Sequence, residues 1–241
     1  MKIIGIVPAR SGSVRVKDKN ISKVGGISLI TRALNTAKAS GIFNRVVLST
    51  DSKKYANIVK EEFDGELEII YRPRDISGSL SPDIEWVKHA IKSLSIDLNE
   101  DAIAILRCTS PFRTVESIIN CWEKFKCAKV TADSIRAVKL TDKHPAKMWI
   151  QDEQYIRPIL PYKNADVPWH SCQTSSLPEV YEQTASLEML WTDTVVKKDS
   201  IAGQNVMHYI TSGIETIDIN SLEDLEFAKF LVDKMELNND F

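Results

Sequence analysis

IIGIVPARSGSVRVKDKNI, residues 3–21, is the stretch on which the fold turns. Ile3 to Val7 reads as a buried strand, too short to span a bilayer and without the profile of a signal peptide. The chain is therefore expected to begin inside its fold. The strand runs into a loop that carries Arg10, Arg15, Lys17 and Lys19 among small residues and closes at Asn20. A phosphate site needs backbone N–H groups left open by small residues and cations that reach the anion without clashing. Ser11, Gly12 and Ser13 meet the first need, and Arg10, Arg15 and Lys19 meet the second. Neither GxGxxG nor GxxxxGK[ST] is present, so the dinucleotide fingerprint and the P-loop are excluded, and an NAD-dependent oxidoreductase with them. A solvated cationic loop is the plain alternative, and the position at a strand end weighs against it.

Outward from this loop, SLITRALNTAKASGIF (28–43) spaces Leu29, Ile30, Ala33, Leu34 and Ala37 at helical intervals and stops at Gly41. RVVLSTD (45–51) is a β-branched run followed by the helical KKYANIVKEEF (53–63). LEIIYRPRD (67–75) and AIAILRCTSPFR (102–113) read as strands, with the helical DIEWVKHAIKSL (83–94) between them. Alternating strands and helices imply an α/β fold with a parallel sheet covered on both faces. The ligand site then lies beyond the carboxyl ends of the strands, where the loops at 8–20, 49–52, 72–83 and 107–114 would converge.

From about 139 to 182 the pattern changes to Pro, aromatic and polar residues without helical periodicity. That is too long for a structureless loop in a compact domain, so a subdomain or interface arm is expected. Trp149, Tyr155, Tyr162, Trp169 and Tyr181 suit an interface as well as packing within the chain. Regular structure returns with the apolar ASLEMLW (185–191), the strand-like ETIDIN (215–220) and a helix over 221–237, where Ser221 and Asp224 approximate an N-cap.

The 241 residues suit one large α/β domain, or a domain with a substantial insertion. A net charge of -2 and a pI near 6.1 argue against a general nucleic-acid binder. Cys108, Cys121, Cys127 and Cys172 show no CxxC pair and no metal spacing with His89, His144, His170 or His208, as expected of reduced thiols in a cytoplasmic protein. His170 and His208 are assigned no role. No apolar run approaches the roughly 20 residues of a membrane span.

PARSGSVRVKDKN resembles the nucleotide-binding signature of the cytidylyltransferases that activate acidic sugars. These are the CMP-sialic acid synthetases (acylneuraminate cytidylyltransferases), their relatives for bacterial nonulosonic acids and, more distantly, the CMP-Kdo synthetases. SLITRALNTAKASGIFNRVVLSTD, YRPRDIS, LRCTSPFRT (the family's LQPTSPLRT), HPAK and ETIDIN come after it in the family's order. The resemblance implies a Rossmann-like three-layer α/β/α nucleotidyltransferase fold with a mostly parallel sheet. It implies one domain over 1–241, with an inserted dimerisation and sugar-site arm at 139–182, and a homodimer. It further implies CTP, an acidic sugar and Mg²⁺, with the anomeric hydroxyl attacking the α-phosphorus and pyrophosphate leaving.

By the same resemblance Arg10 and Lys19 hold triphosphate oxygens, supported by Gly12 and Ser13. Arg15 takes up transition-state charge, since Val14 stands where sialic acid enzymes place a lysine. Asn20 contacts the nucleoside or braces the loop, and Lys17 and Asp18 are solvated. Arg72 and Ser81 face cytosine, although Pro82 and Asp83 replace small hydroxylated residues. Arg107 replaces a sugar-binding glutamine, so it either clamps a carboxylate bidentately or pairs with a neighbouring acid. Thr109 and Ser110 shape the sugar pocket, with Arg113 in a structural or pocket role. Tyr181, Glu182, Gln183, Thr184 and Ser186 line the sugar side. Asp218 and Asn220 stand where the family shows two metal-binding aspartates. Alternatives are a CMP-Kdo or amino-Kdo synthetase and, from another class, a catalytically impaired nucleotide-binding protein, suggested by Val14, Arg107 and Asn220.

Overall fold

Apolar alternation along the first strand builds both faces of a central sheet. The computed structural model describes residues 1–96 and 101–239. Its elements in chain order are β1 (Ile3–Ala9), β2 (Lys23–Val24), β3 (Ile27–Ser28), α1 (Leu29–Ser40), β4 (Arg45–Thr50), α2 (Lys53–Glu62), β5 (Glu68–Tyr71), α3 (Asp83–Leu94), β6 (Ala102–Ile105) and α4 (Val115–Lys126). After them come β7 (Ser134–Leu140), β8 (Trp149–Asp152), β9 (Tyr155–Pro158), β10 (Lys163–Asn164), β11 (Val167–Pro168), β12 (Tyr181–Trp191), α5 (Thr192–Lys198), β13 (Val206–Ile210) and α6 (Leu222–Asn239).

The main sheet has the order β13-β7-β12-β6-β1-β4-β5. β1 lies between β4 and β6 and runs parallel to both, and β5 is parallel to β4. Successive side chains of a strand point to opposite faces. Accordingly Ile3 and Val7 join Leu29, Leu34, Ile118 and Phe125 in one core, whereas Ile4 and Ile6 join Trp86, Val87, Ala90 and Val195 in the other. Helices α1 and α4 thus cover one face and α3 and α5 the other, giving three layers. Each fully buried Ile, Leu or Phe contributes about 1.5–3 kcal/mol.

Local signals end the helices where they should. Ser28 Oγ accepts from Thr31 N at 3.2 Å at the start of α1, and Gly41 comes after its last turn with φ 66°, a backbone that glycine adopts without a Cβ penalty. At α6 Ser221 and Asp224 cap each other: Asp224 N donates to Ser221 Oγ at 3.2 Å and Ser221 N to Asp224 Oδ2 at 2.8 Å.

Glu62, at the end of α2, adds a tertiary cap to α1, accepting from Ser28 N (3.0 Å), from Thr31 Oγ1 (2.8 Å) and from Lys23 (3.1 Å). Burial alone would raise its carboxyl pKa, but the bonds from Ser28, Thr31 and Lys23 bring it down to about 2 from an ordinary 4.5. A depressed carboxylate contributes stability above its ordinary pKa and loses it as the pH falls from about 4.5 toward 2. Melting temperatures of wild type and Glu62→Gln should therefore differ at pH 7, and the gap should narrow steadily as the pH falls from about 4.5 toward 2. A constant gap across that range would refute the role of ionisation.

Several elements differ from the reading of the sequence. The strand expected over 102–113 ends at Ile105. Pro111 has no N–H for a ladder, and the Arg113 guanidinium takes the Arg107 and Ser186 carbonyls instead. ETIDIN is not a strand: a 3₁₀ turn spans Gly213–Thr216, and Ile219 N donates to Thr109 O (2.8 Å) without a ladder beyond it. β12 runs antiparallel to β6, whereas β6, β1, β4 and β5 are mutually parallel. α4, β7, α5 and β13 occupy stretches for which no element was expected.

The chain divides into two compact units, one of Met1–Ala137 with Thr184–Phe241 and the other of Val138–Gln183. The second unit holds the antiparallel pairs β8/β9 and β10/β11. His144, Ala146 and Leu177 are buried, whereas Trp149, Ile150, Tyr155, Ile156, Tyr162 and Val167 are exposed. Cys108, Cys121, Cys127 and Cys172 are unbridged thiols. Among the described residues no helix is long and apolar enough to cross a membrane.

Candidate active site

Beyond the carboxyl ends of β1, β5 and β6 lies a cleft of about 540 Å³ in the first unit. Arg10, Arg15, Lys19, Arg72 and Arg107 line it, against the carboxylates of Asp83 and Asp218. That excess of positive charge in a partly desolvated space suits an anion of several charges.

The loop after β1 is held at both ends. Ser11 N donates to Asp51 Oδ1 (2.6 Å) and Ser11 Oγ to Asp51 Oδ2 (2.5 Å), which ties the loop to the end of β4. Gly12 takes φ +72°, and its carbonyl accepts from Arg10 Nη1 at 3.2 Å. Asn20 is buried and its Nδ2 donates to Arg10 O at 3.0 Å, so it braces the loop while also lining the cleft. Ser13, Val14 and Arg15 line the cleft as well, but Gly12 does not. Asp18, expected to be solvated, stays partly exposed and also accepts from Lys54 Nζ (2.7 Å) and Tyr55 Oη (3.0 Å), and the Lys54 bond leads in lowering its pKa.

Lys19 connects this loop to the stretch before α6. Its Nζ donates to Ile219 O at 2.7 Å, and Ile219 N in turn donates to Thr109 O. These two bonds to the Ile219 main chain set Asp218 and Asn220 against the cleft wall. Burial lowers the Lys19 pKa, and Asp218 opposes that shift. Asn220 Nδ2 donates to Asp218 Oδ2 at 2.5 Å, and its Oδ1 accepts from Arg15 Nη2 at 3.0 Å. Asp218 and Asn220 were expected to address one ion; here they bond each other, and the Asn220 oxygen accepts from Arg15. Asp218 Oδ1 is buried and has no hydrogen-bond partner. One such oxygen beside bound phosphates fits Mg²⁺, which takes one or two carboxylates and completes its shell with phosphates and water. Among the described residues no cluster of three or more His, Cys, Asp or Glu makes a metal cage.

The opposite wall comes from β5, α3 and β6. Arg72 Nε donates to Ser49 Oγ (2.7 Å), and its guanidinium lies 4.5 Å from the Trp86 ring centre. Burial lowers its pKa to about 10. Ser81 does not line the cleft as expected: its hydroxyl closes the 75–81 loop between Gly78 N and Asp75 O, and Ser79 reaches the cleft instead.

At Arg107 the ion-pair alternative is the one present. Its Nη2 donates to both Asp83 Oδ2 (2.6 Å) and Glu188 Oε1 (2.8 Å), and its Nε donates to Glu188 Oε1 (3.1 Å). A bidentate clamp needs hydrogens on two neighbouring nitrogens, and those of Nε and Nη2 are spent. Burial works against its charge, but Glu188 and Asp83 more than offset this and raise its pKa. Glu188, almost fully buried, takes Arg136 on its other oxygen at 3.2 Å. Arg107 is therefore part of an ion-pair network in the cleft floor.

Thr109 lines the cleft, whereas Ser110 is buried outside the lining and Arg113 is a buried brace. Ala185 is the residue of β12 that reaches the cleft. Tyr181 and Gln183 belong to the second unit, where the Tyr181 hydroxyl donates to Glu179 at 3.1 Å. The Cys108 thiol lines the cleft but is inert as a nucleophile, since burial pushes its pKa to about 12. Asp51, Trp86 and Glu188 are site residues that sequence reasoning missed. Glu188 left a signal, a charged residue inside an apolar strand, which calls for a buried partner.

The three layers and this cleft define the class, an α/β protein with a cationic cleft at the ends of its strands. The cytidylyltransferase family model matches residues 4–217, and the chain belongs to that family of nucleotidyltransferase enzymes. It is 27% identical over 244 residues to the CMP-N,N'-diacetyllegionaminic acid synthase of Legionella pneumophila, covering 100% of this chain and 99% of that protein. It is also 27% identical over 236 residues to an N-acylneuraminate cytidylyltransferase of Escherichia coli. That match covers 94% of this chain and 51% of the relative, so the chain spans about half that protein's length. In fold it is similar to a CMP:2-keto-3-deoxy-manno-octonic acid synthetase complexed with CTP, with a TM-score of 0.71 at 11% identity, covering 98% and 100% of the two chains.

Proposed function

We propose that this protein transfers CMP from CTP to the anomeric hydroxyl of an acidic 3-deoxy-2-ulosonic sugar, a sialic acid or related nonulosonic acid, and releases pyrophosphate. The observation that carries this reading is Arg10, Arg15 and Lys19 on one strand-end loop, facing Asp218 across the Lys19–Ile219 bond. In the reaction the sugar oxygen forms a bond to the α-phosphorus and its hydroxyl proton passes to solvent, while the bond to the bridging oxygen of the β-phosphate breaks and that electron pair leaves with pyrophosphate. Such chemistry asks for alignment and charge stabilisation more than for a covalent nucleophile. Lys19 and Arg10 neutralise the leaving pyrophosphate, and Arg15, steadied by Asn220, takes up charge at the transferring phosphoryl group. Asp218 would hold Mg²⁺, which adds further cationic stabilisation to the phosphates when bound. Arg72 and Ser79 stand on the β5 side, where the base would lie. The exposed apolar side chains of the second unit, which buries few of its own, are read as the face of a homodimer; sedimentation as a monomer at micromolar concentration would remove that reading.

The test is pyrophosphate release with CTP and Mg²⁺ against sialic, legionaminic, pseudaminic and Kdo-type acids, with ATP, GTP and UTP as controls. Release with CTP and one acid is expected. CTP binding with no release for any acid would favour the non-catalytic alternative.

A further inference from the structure

Asp18 carries no assigned function, yet its geometry is unusual. Its backbone is left-handed, φ 54° and ψ 29°, which is uncommon for a residue other than glycine. That conformation opens the 3₁₀ turn Lys19–Ile21, from which Lys19 reaches into the cleft and Asn20 back to Arg10 O. The Asp18 carboxylate goes instead to α2, accepting from Tyr55 Oη (3.0 Å) and Lys54 Nζ (2.7 Å). Tyr55 is 1% exposed, so its ring gives the hydroxyl a fixed place. The same end of α2 holds the loop's other side, because Asp51, just before the N-cap Ser52, accepts from Ser11 N and Oγ.

We propose that Asp18 is a positioning residue for nucleotide binding: through Tyr55 and Lys54 it fastens the turn that aims Lys19 and Asn20 into the cleft. The inference rests on the reading of the cleft as a CTP site. Arg10, Arg15 and Lys19 repel one another until a polyanion arrives, and Coulomb repulsion in a partly desolvated site is strong. A loop so charged has open alternatives, and a first-turn grip from α2 at Ser11 and Asp18 keeps the binding-competent form populated. An apparent dissociation constant rises in proportion as that population falls.

The experiment is CTP affinity by calorimetry without sugar, with the melting temperature of each variant measured alongside. Asp18→Ala should weaken CTP about fivefold, as if the competent loop fell to about a fifth of the molecules. Asp18→Gly tolerates the left-handed backbone but lacks the carboxylate, and should weaken CTP as much. Asp18→Asn keeps an acceptor for Tyr55 and a tolerance of that backbone, and should stay within about twofold of wild type. Tyr55→Phe leaves the loop sequence intact and should also weaken CTP, with the double variant Asp18→Ala/Tyr55→Phe no weaker than Asp18→Ala alone. Wild-type affinity in Asp18→Gly or Tyr55→Phe, or fully additive losses, would overturn the proposal. If those variants match a wild type that binds CTP, the anchor alone falls. If wild type binds no CTP, the reading of the cleft falls and takes the anchor's role with it.

Discussion

Lys19→Met should lower kcat/KM for CTP by roughly 10²–10³-fold and leave the fold intact. The side chain is half-buried, it donates to the Ile219 carbonyl, and burial has already lowered its pKa. A cation in this state has given up hydration without gaining a bonded carboxylate, so a phosphate oxygen is the partner that completes it. Removing a poorly compensated buried charge is close to neutral for stability, which separates the expected loss of activity from unfolding. Lys19→Arg should rescue little, because a planar fork does not fit a site shaped around one ammonium. Initial rates of pyrophosphate release, with melting curves as a control, decide the matter. A loss of less than threefold would show that the triphosphate does not depend on Lys19.

The second large effect is expected at Asp218. Asp218→Asn keeps the shape of the side chain, and its Oδ1 can accept the Asn220 bond in place of the Asp218 carboxylate oxygen. What disappears is the negative charge at the buried oxygen that has no partner. Turnover should fall by roughly 10³-fold, in line with the loss of a main electrostatic contributor at a reacting centre. Raising Mg²⁺ should recover part of the rate if weakened metal binding is the cause. The reciprocal change, Asn220→Asp, adds a carboxylate beside Arg15 and should lower the Mg²⁺ concentration for half-maximal rate. Activity of Asp218→Asn near wild type, together with an unmoved Mg²⁺ dependence in Asn220→Asp, would remove the metal site from this wall.

Much of the layer structure was legible because it depends on neighbours in the chain. The alternation of Ile3, Ile4, Ile6 and Val7, the helical spacing from Leu29 to Ala37 and the stop at Gly41 all act over a few residues. The strand expected over 102–113 failed for the converse reason. Its apolar character ends at Leu106, and the segment beyond is shaped by Arg113, which holds carbonyls from two parts of the chain. The extended look of ETIDIN was equally incomplete, for a strand needs a ladder partner and Ile219 finds only one bond, to Thr109.

In the cleft the residue types were legible and their partners were not. A carboxylate clamp at Arg107 was a fair reading of the side chain alone, but Asp83 lies 24 residues upstream and Glu188 lies 81 downstream, and together they occupy it. Asp18 looked solvated because Tyr55, 37 residues away, carries no local mark as its donor. Periodicity, loop composition and motif order are properties of adjacent residues, and by themselves they determined the α/β layers and the cationic loop at the end of β1. Which charge meets which, how Asn220 comes to accept from Arg15, and how Lys19 finds Ile219 some 200 residues on were decided only by the tertiary structure. The reason is that Coulomb and hydrogen-bond energies depend on distance in space, which for these pairs is unrelated to separation along the chain.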